Sequence, residues 1–311
     1  LDDKFFKREF NIDENDIEVL ENDAIVEEGD DAHYLAMLDY IENNSLAPTD
    51  NYNYIKTQMD TDSFQDYFIS NIYFQNVDWP GNNIIYWRKN TASYEPTAPF
   101  GHDGRWRWAI HDMDSTFGIS GGSNDLNSLA DATEAGGTEW PNPDWSTLLL
   151  RKLLENNEFK EEFISRFADL MNTTYLPERV VGIINEMKSG VEAEILEHAQ
   201  RWNTIGSLEQ WQSNIDVMIE FSNERSFYQR NHILEKFEIE STLSVQLNVS
   251  DEEHGFVKIN TIEIIPTTPG VQDQCRALHF IARGCAACTG RDTAQAQGVV
   301  PGSRIGLPPR P

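Results

Sequence analysis

The chain has 311 residues, 39% of them hydrophobic and 11% aromatic, enough for a packed core in one large domain or two ordinary ones. Its 52 acidic residues against 24 basic ones leave a net charge of −28. Such a surface repels DNA and RNA phosphates and anionic lipid, which argues against nucleic-acid binding. No run approaches the roughly 18 apolar residues of a membrane span.

The opening LDDKFFKREF is charged and starts at Leu1, with Phe5, Phe6 and Phe10 placed as in a helix already under way. The expectation is a fragment that begins inside a domain, with any targeting segment upstream. DDAHYLAMLDYIENN (30–44) predicts a helix with Leu35, Leu38 and Ile41 on one face. TDSFQDYFISNIYFQN (61–76) predicts a stronger one, deeply buried, because Phe64, Tyr67, Phe68, Ile69 and Ile72 make a wide apolar face. DWPG (78–81) then signals a turn. NIIYWR (83–88) and RWRWAIHD (105–112) read as two strands of a hairpin joined by a Pro-, Gly- and Ser/Thr-rich loop, 90–104. From Asp144 the pattern is helical, in four runs separated by turns, with Pro177 at a first-turn position and 177–202 read as one run. LSVQLNVS and GFVKINTIEI, within 242–264, alternate like strands and begin a small β unit.

Residues 274–311 differ from the rest. They hold five Arg, no Lys and one acid, a net charge of +4 by that count, and all three cysteines, Cys275, Cys285 and Cys288. CAAC (285–288) fits a redox or half-zinc spacing, yet no second pair follows and no βαβ pattern surrounds it. This basic tail reads as foreign to the fold, a junction or frameshifted sequence.

Two acidic segments invite chemistry. Asp78 and Asn83 stand in D-x-x-x-x-N spacing, that of the kinase catalytic loop, where the Asp orients the attacking hydroxyl and the Asn supports a magnesium ion. On spacing alone the pair reads rather as a turn cap and a strand-edge residue. In HDMDSTFG (111–118), Asp112 and Asp114 share one face if the strand runs through them. Two carboxylates there repel unless a cation sits between them or one is protonated. Hard oxygen ligands suit magnesium, while a solvated strand end is the alternative. His102 and His111 flank the second strand without a further His at ligand spacing and read as structural. Arg88 and Lys89 read as salt-bridge partners rather than phosphate contacts. Trp140, Trp145, Trp202 and Trp211 read as packing residues rather than a carbohydrate platform, and Arg201 with Trp202 as a structural pair.

NVDWPGNNIIYWR followed by GRWRWAIHDMDSTFG resembles the CotH kinase family, named for a bacterial spore-coat protein. In that family a D-W-x-x-N-N segment precedes W-x-x-D-x-D-x-x-F-G. LLLRKLLENNEFKEEFISRFADLMNT and EILEHAQRW are similar to the family's helical half, so the likeness spans about 1–240. The resemblance implies an α+β, atypical protein-kinase-like fold, mainly its helical lobe with an active-site hairpin over 1–240, then the start of a β-rich domain over 241–273. It implies transfer of phosphate from ATP, with Mg2+, to Ser or Thr hydroxyls of a protein substrate, at the cell surface or outside the cell. Asp78 is then the catalytic acid/base, Asn83 a metal-supporting and cofactor-binding residue with Asn82 as its substitute, and Asp112 the magnesium ligand with Asp114 as second candidate. Kinase catalysis also needs a phosphate-gripping Lys and a covering loop. No Gly-rich loop stands in 1–77, and Lys4, Lys7 and Lys56 lie in helical or loop contexts. The expectation is a fragment lacking most of its N-terminal lobe and inactive alone. The rival reading is a non-catalytic cell-surface structural or adhesive module on the same scaffold.

Overall fold

The computed structural model describes residues 3–135, 140–202, 204–246, 257–265, 268–269 and 277–282. Cys275, Cys285, Cys288 and the CAAC segment lie outside the described residues. The fold is α+β, and the chain divides into two compact units. One comprises residues up to Thr116 together with Ser128–Lys160; the other comprises Phe117–Asn127 and the chain from Glu161.

The first unit is built on a four-stranded antiparallel sheet. Its order is β2 (Ile25–Glu28), β1 (Ile17–Glu21), β3 (Ile85–Lys89), β4 (Arg107–Ala109). The expected hairpin is therefore the β3–β4 half of a larger sheet. Helix α1 (Asp3–Phe10) packs Phe5, Phe6 and Phe10 against Ile17, Val19, Ile85 and Trp87. The opposite parity of the strands carries Leu20, Tyr86 and Trp108. Both parities of β1 are buried, so Ile17–Leu20 shows none of the alternation that exposes a strand to sequence reading.

Helix α2 (Ala32–Asn43) buries Tyr34, Met37 and Ile41, whereas Leu35, predicted on its inner face, is 45% exposed. The i, i+3, i+7 stripe won because Tyr34 packs tilted against Tyr86 (4.5 Å between centroids) and meets Trp106 edge-on. Helix α3 (Thr49–Gln58) is polar in sequence, and only Tyr52 and Ile55 are buried. Helix α4 (Thr61–Phe74) is buried on nearly every side, as its wide apolar face predicts. Phe64 stacks on Phe68 at 4.1 Å and meets Trp108 edge-on, while Phe68 meets Trp79. Two shorter helices, α5 (Ser128–Thr133) and α6 (Asp144–Leu153), complete this unit with the start of α7 (Asn157–Asn172).

An ionic network fixes the start of α4 to β4. Asp60 caps the helix by accepting the Ser63 N–H, and its other oxygen accepts from Arg105 (3.1 Å) and forms an ion pair with Arg107 (2.9 Å). Asp103 accepts from both arginines as well. The loop 90–104 is thereby folded back rather than free: Arg88 donates to the carbonyls of Thr91 and Gly104, and His102 bonds the Phe10 carbonyl. Arg88 also pairs with Glu18 directly across the strands at 3.0 Å, both buried, as the salt-bridge reading expects. His33 accepts the Trp106 indole N–H through Nδ1; burial, with the nearby Arg88 charge, pushes its pKa down to about 4 and keeps the ring neutral.

In the second unit, the run read as one helix over 177–202 breaks into α8 (Pro177–Val191), a 3-10 turn and α9 (Ile195–Trp202). Val191, β-branched and following Gly190, leaves helical geometry at φ −121°. α8 packs on α10 (Leu208–Lys236), where Arg225 is fully buried and donates to the carbonyls of Asn124 and Leu126. β5 (Ser241–Gln246) pairs with β8 (Ala277–Ala282), and β6 (Val257–Ile259) with β7 (Ile262–Ile264). Asp169 of α7 holds the β6–β7 turn, accepting from Asn260 and twice from Thr261; burial raises its pKa to about 6 against those bonds. Trp140 and Trp202 are 56% and 59% exposed, so neither is the packing residue expected, and the Arg201–Trp202 pair lies at the surface.

Burial alone would raise the Asp103 carboxyl, but hydrogen bonds from Arg107 and Arg105 outweigh it and hold the pKa at about 2. A carboxyl depressed in the folded state contributes fully above its unfolded value and is lost as pH falls through the folded one. Urea unfolding at stepped pH should therefore show about 2 kcal/mol disappearing between pH 5 and pH 2.

Candidate active site

The site grows from the buried end of α4. The helix closes at Gln75, which is fully buried and left-handed at φ +56°. Asn76, 1% exposed, follows and turns its side chain inward. Its Nδ2 donates to Asn71 Oδ1 (3.1 Å) and to the Asp112 carbonyl (3.3 Å), and its Oδ1 accepts the Asp78 N–H (3.1 Å). The Val77 N–H donates to the Ser115 carbonyl, a second tie between the two acidic segments.

Asp78 is half-buried at the mouth of the turn. Its Oδ2 accepts from Asn82 (3.3 Å) and Asn83 (3.2 Å), and its Oδ1 has no donor among the described residues. Asn82 is engaged at both ends, because its Oδ1 accepts from Asn22 at 3.3 Å. Asn22 comes from the β1–β2 turn, and its backbone N–H and Oδ1 also pair with the carbonyl and N–H of Ile84. Asn83 is buried, left-handed at φ +60°, and held by the Tyr67 hydroxyl donating to its carbonyl at 2.6 Å. Its Nδ2 also lies 3.5 Å from the Asp112 carbonyl, while its Oδ1 receives no hydrogen bond from the described residues.

The predicted strand through Asp112 and Asp114 is not there. β4 stops at Ala109, opposite Ile85, because β3 begins there and offers no partner further on. Asp112 is instead a left-handed residue, φ +45°, and Asp114 sits in a turn, so their placement on one strand face is corrected. Both are exposed. The Asp112 carboxylate has no partner among the described residues, while Asp114 accepts from Ser115 at 3.2 Å. His111 is exposed and joins none of these bonds.

Asp78, Asn83 and the backbone of Asp112 are thus brought together, and Asn82 joins Asp78. Asp114 is joined only through the chain. Sequence reading missed Asn22 and Asn76. Asn76 stands two residues before Asp78, but nothing in its type or spacing marks it.

The unpartnered Asp112 carboxylate and the Asn83 Oδ1 are oxygen donors without a thiol, the ligand type that a hard cation such as magnesium takes. No hydrogen bond or ion pair among the described residues brings a Lys or Arg to Asp78, Asn82, Asn83, Asp112 or Asp114. Among the described residues no group of three or more His, Cys, Asp or Glu side chains is placed to hold a metal ion. Magnesium retains several waters and takes one or two carboxylates with substrate phosphates, so its fit does not require such a group. Lys4 and Lys7 lie on α1 and Lys56 on α3, where it pairs with Glu158.

The family model described as CotH kinase protein matches residues 4–228, and the chain belongs to that family. Searches of curated proteins and of solved structures each return no match.

Gly81 pins the loop from outside. A Cβ there would lie 2.7 Å from the Pro141 carbonyl oxygen and 3.0 Å from the Pro143 ring. Gly81→Ala should cost roughly 1–3 kcal/mol of stability, since neither backbone can give way easily. Thermal unfolding measures it.

Proposed function

We infer that this chain is an atypical kinase that transfers phosphate from ATP, with magnesium, to a Ser or Thr hydroxyl of a protein. The carrying observation is the hydrogen-bonded union of Asp78, Asn83 and the Asp112 backbone, drawn from two motifs inside the family-matched span. Membership of a kinase family supports the reaction class. The acceptor and an exported or cell-surface setting belong to the proposal alone.

In this reading Asp78 Oδ1 faces the acceptor and takes the proton of the attacking hydroxyl, while the two asparagine amides on Oδ2 hold the carboxylate in one orientation. Asp112 is the principal metal ligand, because its carboxylate is exposed and uncommitted. Asn83 is preferred to Asn82 as the supporting oxygen, because Asn82 already spends its Oδ1 on Asn22. Magnesium, when bound, supplies charge neutralisation on the transferring phosphoryl group. Positioning and charge account for most of phosphoryl-transfer catalysis, so these few groups suffice in kind.

Calorimetric titration of the full-length protein with ATP should show binding that requires magnesium and vanishes in Asp112→Asn. Asp78→Ala should keep that binding and lower transfer to protein hydroxyls by roughly 10²–10⁴-fold. Absence of magnesium-dependent ATP binding would favour the non-catalytic surface module instead.

A further inference from the structure

We propose that Asn76 is the positioning residue that locks the Asp78 segment and the Asp112 segment into a single arrangement. Its catalytic meaning rests on the kinase reading; its structural coupling does not.

A primary amide offers two N–H donors and one oxygen acceptor. Asn76 directs one donor back to α4, at Asn71 Oδ1, and one across to the Asp112 carbonyl, while its oxygen receives the Asp78 N–H. Asn71 accepts through Oδ1 while its Nδ2 donates to the Tyr67 carbonyl. The chain of bonds therefore starts in the most buried helix of the first unit and ends on the two aspartate segments. No other side chain among the described residues bonds the backbone of both Asp78 and Asp112. The remaining side-chain bond to the Asp112 carbonyl, from Asn83, is longer at 3.5 Å. Asp112 is left-handed without being glycine, a conformation Asp tolerates at some cost, and bonds to its carbonyl help hold it. Exposure of its carboxylate gives no such hold. Asn76 is buried and not itself placed to touch substrate, so it acts through its neighbours.

Asn76→Asp is the informative variant. It keeps the size and the oxygen that accepts the Asp78 N–H, and it removes both donors. Hydrogen–deuterium exchange should quicken at the Val77 N–H, whose bond to the Ser115 carbonyl ties the two segments, while α4 and the four-stranded sheet keep their protection. Asn76→Ala should quicken Val77 and Asp78 together. Manganese alone, titrated by electron paramagnetic resonance, should bind roughly 10–100-fold more weakly to Asn76→Ala, which releases the Asp112 segment without adding a charge beside the cation. Exchange at Val77 equal to wild type in both variants would overturn the coupling. So would faster exchange confined to α4, or failure of both variants to fold, either of which leaves Asn76 a stabilising residue only. Wild-type protein that neither binds ATP nor transfers phosphate would sink the kinase reading while the exchange result still decides the coupling.

Discussion

A helix buried on almost every side has to end inside the protein, and α4 does so. The side chains of Asn71 and Asn76 are sealed from water, where an unpaired amide costs a large part of a domain's net stability. The structure meets that demand with asparagines. Asn71 turns back on the Tyr67 carbonyl, Asn76 reaches forward, and the Tyr67 hydroxyl holds Asn83. The Tyr67 bond reaches Asn83, and the forward bonds of Asn76 reach Asp78 and Asp112. The site is thus the polar lining required by a buried helix end, with two carboxylates facing outward from it.

Two left-handed residues, Asn83 and Asp112, set the direction in which those groups leave the backbone. Asn and Asp tolerate this conformation better than other side chains, which makes it affordable without glycine. Bonds to their carbonyls from Tyr67, Asn76 and Asn83 keep both in place. The result is a rigid frame beneath exposed carboxylates, the arrangement a phosphoryl-transfer site needs if positioning is its main contribution.

The distribution of basic groups sharpens the contrast. In a chain of net charge −28 the arginines of the first unit are committed to structure. Arg88 is buried against Glu18, and Arg105 and Arg107 are divided between Asp60 and Asp103. The acids of the two motifs receive none of them. A carboxylate left without a basic partner beside a second acid is the one a cation can still improve.

Much of this was readable from local pattern. α4 announced itself by a wide apolar face, the β3–β4 hairpin by alternation around Trp and Arg, and the motif pair by spacing within the span that the family model matches. Local pattern failed where a neighbour decides. β1 and β2 were masked by their acids, and β1 is buried on both faces, so no alternation survives. α3 is polar, and the inner face of α2 was set by the aromatic rings opposite it. The end of β4 depends on how far β3 extends, which no residue of β4 encodes. Asn22 and Asn76 are ordinary asparagines until the fold surrounds them. The sequence by itself determined which carboxylates are available and that a buried helix precedes them. Only the tertiary structure decided which amides hold them and which oxygens stay free, because hydrogen-bond partners distant along the chain are chosen by packing.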